Sequence, residues 1–142
     1  MKAWITKSFA LECFQGIHDF RGDIIKMACF APGAPIDVET AAYDVYYETS
    51  GPGYVSGGQI VSIVDGYPRI DENLAGVRFE DVIWPGPATF TYRKALIYNA
   101  TKDNRSIIAI DFSLDRGPLN ASHKISTPVF APPVLAMSFG LV

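Results

Sequence analysis

The 142-residue chain has few of the residues that form metal sites or disulfides. It contains two cysteines, Cys13 and Cys29, and two histidines, His18 and His123. Their spacing matches no zinc-binding pattern, and two cysteines without a secretory signal favour free, buried thiols. We expect His18 to make a surface hydrogen bond in a turn and His123 to lie in a polar loop. The sequence predicts no metal site and no cofactor.

Positive charge is also sparse. Twelve Lys and Arg against fifteen Asp and Glu give a net charge of −3, and the basic residues are scattered. Nucleic-acid-binding surfaces cluster Lys and Arg, so we expect no nucleic-acid partner. Prolines interrupt the uncharged stretch 125–142, and no apolar run of signal-peptide length precedes Glu12. These features predict no membrane association and synthesis in a reducing cytoplasm.

Catalytic motifs are missing as well. The chain has no Gly-x-Ser-x-Gly elbow for a nucleophilic serine. Six acidic residues are candidates for a carboxylate pair of the kind that hydrolyses glycosides: Glu48, Asp65, Asp71, Glu72, Glu80 and Asp81. Most acids in a protein of this kind simply solvate its surface. We therefore expect no catalytic residues and a protein that is not an enzyme.

The most distinctive stretch present is Glu48 to Ile60, which contains four glycines and one proline. Gly51-Pro52-Gly53 and Gly57-Gly58 flank Tyr54-Val55, a spacing that predicts two tight turns, since glycine takes positive φ without steric cost. A phosphate-binding loop would require Lys and then Ser or Thr after the last glycine. Gln59 follows instead, so the stretch is predicted to be a structural loop.

Short β-strand patterns make up most of the remaining chain. Ser8 to Phe14 is predicted to be a helix capped by Thr6 or Ser8, whereas residues 36–47 fit helix and strand equally. Strands are predicted at 23–30, 59–64, 77–84, 88–98 and 106–112. The third is interrupted by a bulge near Glu80-Asp81, and the fourth has a bulge or a switch between faces at Arg93-Lys94. A turn is predicted at 84–87 and a hairpin over 88–112. Residues 70–75 and 114–123 are predicted loops. Residues 124–142 should add one or two strands.

The sequence therefore predicts a mainly β fold. Seven to nine short strands in one domain favour an antiparallel β-sandwich or barrel with one or two short helices near the N-terminus. The segment 125–142 would be an apolar C-terminal arm or a final strand of that domain.

An ordered set of motifs resembles a widespread group of small virion proteins of tailed bacteriophages. Residues 16–20 with Asp23 and 26–30 begin the set, and residues 46–59 continue it with a Gly-x-Gly-Tyr-x-x-Gly-Gly core. Residues 79–84, 88–90, 95–99 and 107–112 complete it, so the resemblance covers about residues 12–115. Ser113 departs from the glycine that follows Asp-Phe in many such proteins, and residues 41–48 are poorer in threonine.

The resemblance implies a structural protein of the virion, made in the host cytoplasm. We expect a capsid decoration or cement protein that binds the major capsid protein on the outer shell as a homo-oligomer, with a trimer favoured. The alternative is a tail or head fibre component that binds a host-surface glycan. Six residues are predicted to contact a partner or a second subunit: Tyr54, Trp84, Val129, Phe130, Leu135 and Phe139.

Overall fold

The computed structural model describes residues 1–71, 73–127 and 135–138, the last four as backbone. This part of the chain forms ten strands and one helix: β1 (Lys2–Ile5), α1 (Lys7–Phe14), β2 (Ile25–Phe30), β3 (Gln59–Ile60), β4 (Arg69–Asp71), β5 (Leu74–Val77), β6 (Val82–Ala88), β7 (Tyr92–Asn99), β8 (Arg105–Arg116), β9 (Ala121–Ile125) and β10 (Leu135–Ser138). The predicted mainly β fold with one short N-terminal helix is confirmed.

Helix α1 confirms the predicted short helix. Thr6 is its N-cap in an extended conformation, and its side chain makes no capping hydrogen bond. Phe9 and Glu12 are the buried residues of the helix. The chain leaves the helix through Gln15 and Gly16, and Gly16 adopts a positive φ of 67°. Gly16 is therefore the predicted glycine stop.

Five antiparallel strands form the main sheet in the order β1-β8-β7-β2-β3. Its central strands are buried on both faces. In β2, Met27 and Cys29 pack into one hydrophobic cluster, whereas Ala28 and Phe30 pack into another. Successive strand residues point to opposite faces, so the clusters lie on opposite sides of the sheet. The apolar run at 23–30 predicted this burial correctly.

Each face of the main sheet has its own cover. The two-stranded β6-β9 sheet contributes Val82, Trp84 and Ile125 to the larger cluster. Ala34 and Ile36 contribute to the smaller cluster, with Tyr43 packed against it. A third sheet has the order β10-β5-β4. The result resembles a sandwich of antiparallel sheets, and the described strands do not close into a barrel.

The β7-β8 hairpin confirms two sequence predictions. The strands pair antiparallel around a turn at 100–104, as the pattern over 88–112 predicted. Their register shifts between Tyr92 and Lys94, where the change of hydrophobic phase predicted a bulge. The predicted first strand is nevertheless too long, because Ala88 ends β6 and β7 begins only at Tyr92.

Several predicted loops and breaks are wrong. Residues 70–75 contribute to β4 and β5, and β8 continues to Arg116 before β9 begins at Ala121. In both places the segment is polar because its side chains are exposed, although its backbone pairs with a neighbouring strand. Residues 84–87 do not end a strand: β6 passes through Pro85 and Pro87 with a register shift. Proline is tolerated there because, among the described strands, β6 pairs on one side only.

The boundaries of other predicted elements also differ. The strand predicted at 77–84 is divided between β5, which ends at Val77, and β6, which begins at Val82. The strand predicted at 59–64 is paired regularly only over Gln59–Ile60, with an isolated bridge at Ile63. Residues 36–47 form neither a helix nor a regular strand. In the C-terminal segment, Ile125 ends β9 as a core residue, and Leu135–Ser138 pairs with β5 as a final strand. Val129, Phe130 and Phe139 lie outside the described residues.

Candidate functional site

Residues 43–58, here called the tyrosine loop, form the most distinctive surface feature of the chain. The loop is attached to the end of β2: Ala31 N donates to the Tyr47 carbonyl over 2.9 Å, and Thr49 N donates to the Cys29 carbonyl over 2.9 Å. An isolated bridge joins Phe30 to Glu48. The loop therefore continues the edge of the main sheet as backbone that is held in place.

Two glycine turns fix the second half of the loop, as the sequence predicts. Tyr54 N donates to the Gly51 carbonyl over 3.1 Å, and Gly58 N donates to the Val55 carbonyl over 2.9 Å. Gly58 has a φ of 76°, and a Cβ there would lie 1.8 Å from the Met27 carbonyl oxygen. Only glycine allows this approach to β2.

The carboxylate of Glu48 lies at the centre of the loop and accepts four hydrogen bonds. Oε1 accepts from the Tyr54 hydroxyl over 2.8 Å and from Gly57 N over 2.7 Å. Oε2 accepts from the Tyr43 hydroxyl and from Ser56 Oγ, both over 2.8 Å. A carboxylate with two donors on each oxygen is a structural anchor, because its lone pairs are already committed.

Tyr54 connects this anchor to the core. Its hydroxyl also accepts from Cys29 N over 2.8 Å, and its ring stacks near Trp84, with centroids 6.3 Å apart and planes 11° apart. Burial, reinforced by the nearby Cys29 and Glu48, raises the pKa of Tyr54 far above that of a free tyrosine. Tyr54 therefore stays neutral and holds the loop against the core.

The predicted contact residues are thus placed in different surroundings. Trp84 is fully buried, so its side chain offers no surface to a partner in this conformation. Tyr54 is half-buried and is used inside the loop. Leu135 lies on β10 opposite Val77, and the structure describes only its backbone. The structure brings Tyr54 and Trp84 together and leaves Leu135 on a different sheet.

The exposed residues of the tyrosine loop are ones that sequence reasoning did not select. Val45, Tyr46, Tyr47 and Val55 are 63%, 70%, 47% and 67% exposed. The rings of Tyr46 and Tyr47 meet edge to face, with centroids 4.4 Å apart at 73°. A usable signal was the crowding of three tyrosines into residues 43–47.

Tyr47 also has an unusual backbone conformation. Its φ is 64°, in the left-handed region that side chains larger than Asn seldom occupy. Such a conformation costs about 1–3 kcal/mol and persists only where the surroundings impose it. Here Glu48 N donates to the Val45 carbonyl over 3.0 Å and closes a turn that contains Tyr47, while Ala31 N donates to the Tyr47 carbonyl. These two bonds hold Tyr47 in the left-handed conformation.

A second polar group is buried beneath helix α1. His18 Nε2 lies 2.6 Å from Glu12 Oε2, and His18 Nδ1 lies 3.0 Å from Asn99 Nδ2. Asn99 Nδ2 also donates to Asp23 Oδ2 over 2.7 Å, and Arg105 donates to Glu12 Oε1 over 2.9 Å. The expected surface role for His18 is therefore wrong, because the side chain is only 2% exposed.

The hydrogen bonds of this group indicate which ring nitrogen of His18 donates and which accepts. Asn99 Nδ2 is a donor only, so Nδ1 must accept, and the ring proton on Nε2 is donated to Glu12. Burial tends to raise the pKa of Asp23, but the hydrogen bonds from Asn99 and the Asp19 backbone outweigh burial and lower it. Every contact is internal, so the group fastens α1 to the β7-β8 hairpin.

His123 is also placed differently from the prediction. It lies in strand β9, and its Nε2 is 2.8 Å from the Tyr92 hydroxyl. Burial and the nearby Arg116 lower the pKa of His123, which keeps the ring neutral near pH 7. The polar loop expected at this position is a strand, and the histidine contacts Tyr92, a residue of the larger core cluster.

An apolar groove of about 630 Å³ separates α1 from β4 and β5. Cys13 lines it at an exposed position, so the expected buried thiol is found for Cys29 and not for Cys13. Partial burial and the neighbouring Glu12 raise the pKa of Cys13, which disfavours the thiolate form. The groove therefore has no activated nucleophile in its described lining.

Within the described ranges, no group of three or more His, Cys, Asp or Glu is arranged to hold a metal ion. In the same ranges, no helix has the length and apolar character needed to cross a membrane. Comparison with known protein families, curated proteins and solved structures gives no significant match. Among the described residues, the tyrosine loop groups four exposed apolar and aromatic side chains on a backbone that hydrogen bonds hold in place.

Proposed function

We propose that this chain is a structural virion protein of a tailed bacteriophage, and that it decorates the capsid. In this proposal it binds the outer shell through the tyrosine loop and stabilises contacts between major capsid subunits. The observation that carries the proposal is the exposed Tyr46-Tyr47 pair on a loop fixed by Glu48. The same loop contains residues 46–58 of the stretch on which the resemblance to phage virion proteins depends.

The construction of the loop supports a role in binding. Tyrosine is enriched among the residues that dominate interface energetics, because it provides a large contact area with little side-chain entropy to lose. The four hydrogen bonds to Glu48 and the two glycine turns order the loop before any partner arrives. A partner then gains contact area without the entropic cost of ordering the loop.

Stabilisation of the shell follows from mass action. A protein that binds the mature shell and not its disassembled subunits stabilises the shell by RT ln(1 + [L]/Kd) for each site. At a free concentration 100 times Kd this term is about 2.7 kcal/mol per site. Many weak sites on one particle can therefore produce a large resistance to heat. The proposal requires many copies per particle, arranged as trimers at local three-fold positions.

The test compares phage particles that lack this protein with particles to which it is added back. We expect purified protein to bind many copies per shell and to raise the temperature at which the packaged DNA is released. The Tyr46→Ser, Tyr47→Ser double variant should bind at least tenfold more weakly. Leu119→Ser is the matched control, because Leu119 is also highly exposed but lies outside the loop. Detection of only a few copies, all at the tail, would refute decoration.

The exposed tyrosine pair also favours a second candidate, a fibre component that binds a host-surface glycan. Aromatic rings at the surface can stack on sugar rings, and two such rings lie side by side here. This candidate predicts that purified protein binds host cells and blocks phage adsorption. Absence of competition at saturating protein would count against it and leave decoration as the proposal.

A further inference from the structure

We infer that the tyrosine loop recognises a cationic side chain, arginine or lysine, on its protein partner. The inference rests on the proposed function, since it names the chemistry of the partner's contact surface. Its first support is the exposed pair of rings. Tyr46 is 70% exposed and Tyr47 is 47% exposed, so ring surface is accessible on both. A ring face carries partial negative charge and attracts a cation placed over it.

The charge of the surrounding chain supplies the second support. Residues 36–58 contain four acidic residues and no Lys or Arg, and the amine that lies beside Gly57 comes from Lys26 on β2. Asp44 lies two residues before Tyr46 at an exposed position, and its Oδ1 accepts from Tyr46 N over 2.9 Å. The carboxylate is therefore held at the backbone of Tyr46. A basic partner is attracted to such a surface, whereas an acidic partner is repelled.

The other acids of this segment serve internal contacts. Glu48 is saturated by its four donors, and Glu39 is paired with Lys7. Asp37 Oδ1 accepts from Glu39 N over 2.8 Å in a local turn. Asp44 makes the same kind of local bond as Asp37, but it lies within the tyrosine loop and is the exposed carboxylate nearest in sequence to Tyr46 and Tyr47. In this proposal a cation over either ring is attracted by the ring face and by this nearby charge.

The test separates cation recognition from simple hydrophobic contact. Binding to particles that lack the protein is measured for the wild type, Tyr46→Phe and Tyr46→Leu at 50 mM and 500 mM NaCl. Phenylalanine keeps the aromatic face, so its affinity should stay within about twofold of the wild type. Leucine keeps apolar area and loses the face, so its affinity should fall about 3- to 30-fold. Equal binding by the two variants would overturn the inference.

Asp44→Asn provides the electrostatic arm of the same experiment. It keeps an oxygen that can accept from Tyr46 N and removes the charge. We expect affinity to fall severalfold at 50 mM NaCl and much less at 500 mM, where salt screens exposed charges over a few ångströms. An affinity that is independent of both the charge and the salt concentration would count against a cationic partner.

A titration of the isolated protein decides the question if the wild type fails to bind particles. That failure would remove the decoration proposal, while the chemistry of the loop can still be measured. Acetyl-Gly-Arg-Gly-amide should shift the ring proton NMR signals of Tyr46 and Tyr47, and acetyl-Gly-Glu-Gly-amide should not. A shift caused only by a neutral glycoside such as methyl galactoside, or equal shifts with both peptides, would overturn the inference.

Discussion

Glu48 is the residue whose replacement tests the construction of the tyrosine loop most directly. Glu48→Ala removes the acceptor of four hydrogen bonds at once. The Ser56 and Tyr43 hydroxyls lie close enough to the surface for water to replace the carboxylate. Gly57 N belongs to a buried residue and does not readily find water, whereas the Tyr54 hydroxyl keeps only a long contact of 3.5 Å to the Cys29 carbonyl.

The expected loss of folding stability comes from these two donors. A hydrogen bond to a charged acceptor contributes about 1.5–3 kcal/mol, and a buried donor without a partner costs a similar amount. Glu48→Ala should therefore lower the free energy of unfolding by about 3–5 kcal/mol. For a domain whose total stability is about 5–15 kcal/mol, that is a large fraction.

Glu48→Gln is the matched comparison because it keeps the shape of the side chain. Its amide oxygen can occupy the Oε1 position and accept from Gly57 N and Tyr54. Its NH2 group can then donate to the Tyr43 and Ser56 hydroxyls, which are able to accept. The hydrogen bonds are therefore kept, with Tyr43 and Ser56 now accepting instead of donating. We expect the free energy of unfolding to fall by only about 1 kcal/mol.

Urea unfolding followed by fluorescence measures both variants, and the dependence on denaturant should keep the wild-type slope. The Ala variant should unfold at a clearly lower urea concentration than the Gln variant. If the two variants differ by less than about 0.5 kcal/mol, the hydrogen bonds to Glu48 do not stabilise the loop. The account of a preordered binding surface would then be wrong.

Three further predictions concern the packing around the loop and the core. Gly58→Ala should prevent folding or cost more than about 4 kcal/mol, whereas Gly33→Ala, which meets nothing within 4 Å, should be neutral in the same urea assay. Burial raises the pKa of the Tyr92 and Tyr98 hydroxyls, so these protons leave the unfolded chain at a lower pH than the folded one. The free energy of unfolding should therefore fall above pH 10 by up to about 1.4 kcal/mol per pH unit for each tyrosine. A flat profile between pH 10 and 11.5 would contradict this. Asn99→Ala should cost about 2–4 kcal/mol by thermal unfolding, because the buried side chains of His18 and Asp23 each lose one of their hydrogen bonds; a loss below about 1 kcal/mol would show that water replaces the amide.

Predictions from the sequence succeeded where the cause is local. The turns at Gly51–Gly53 and Gly57-Gly58 follow from the φ values that only glycine adopts easily. The bulge near Arg93 follows from a change of hydrophobic phase within a single strand. Each depends on a few adjacent residues, so the sequence contained the whole cause.

Predictions failed where the cause is distant in the chain. His18 looked like a surface residue because its partner Asn99 is 81 residues away. Arg105 and Glu12 are 93 residues apart and meet only after β8 pairs with β1. Residues 114–116 looked like a loop because the pairing of Arg116 with Tyr92 is invisible in their own composition.

The tyrosine loop shows the same limit at a candidate site. The sequence predicted that Tyr54 contacts a partner, but it could not tell which tyrosines of the loop face inward. The position of Glu48 decides this, since its carboxylate binds the Tyr43 and Tyr54 hydroxyls. Tyr46 and Tyr47 are left outside. A tyrosine near a turn therefore does not by itself indicate contact with another protein, because its hydroxyl can be bound inside the loop.

The strained backbone of Tyr47 and the anchor at Glu48 are best understood together. A left-handed tyrosine costs about 1–3 kcal/mol, and a glycine at this position would avoid most of that cost. Hydrogen bonds to the adjacent Glu48 can offset the strain, since two of them reach buried or half-buried donors. The fold thus holds a tyrosine in an unfavourable conformation where a smaller residue would serve stability better. Under the proposed function, this conformation keeps the exposed ring of Tyr47 available to the partner.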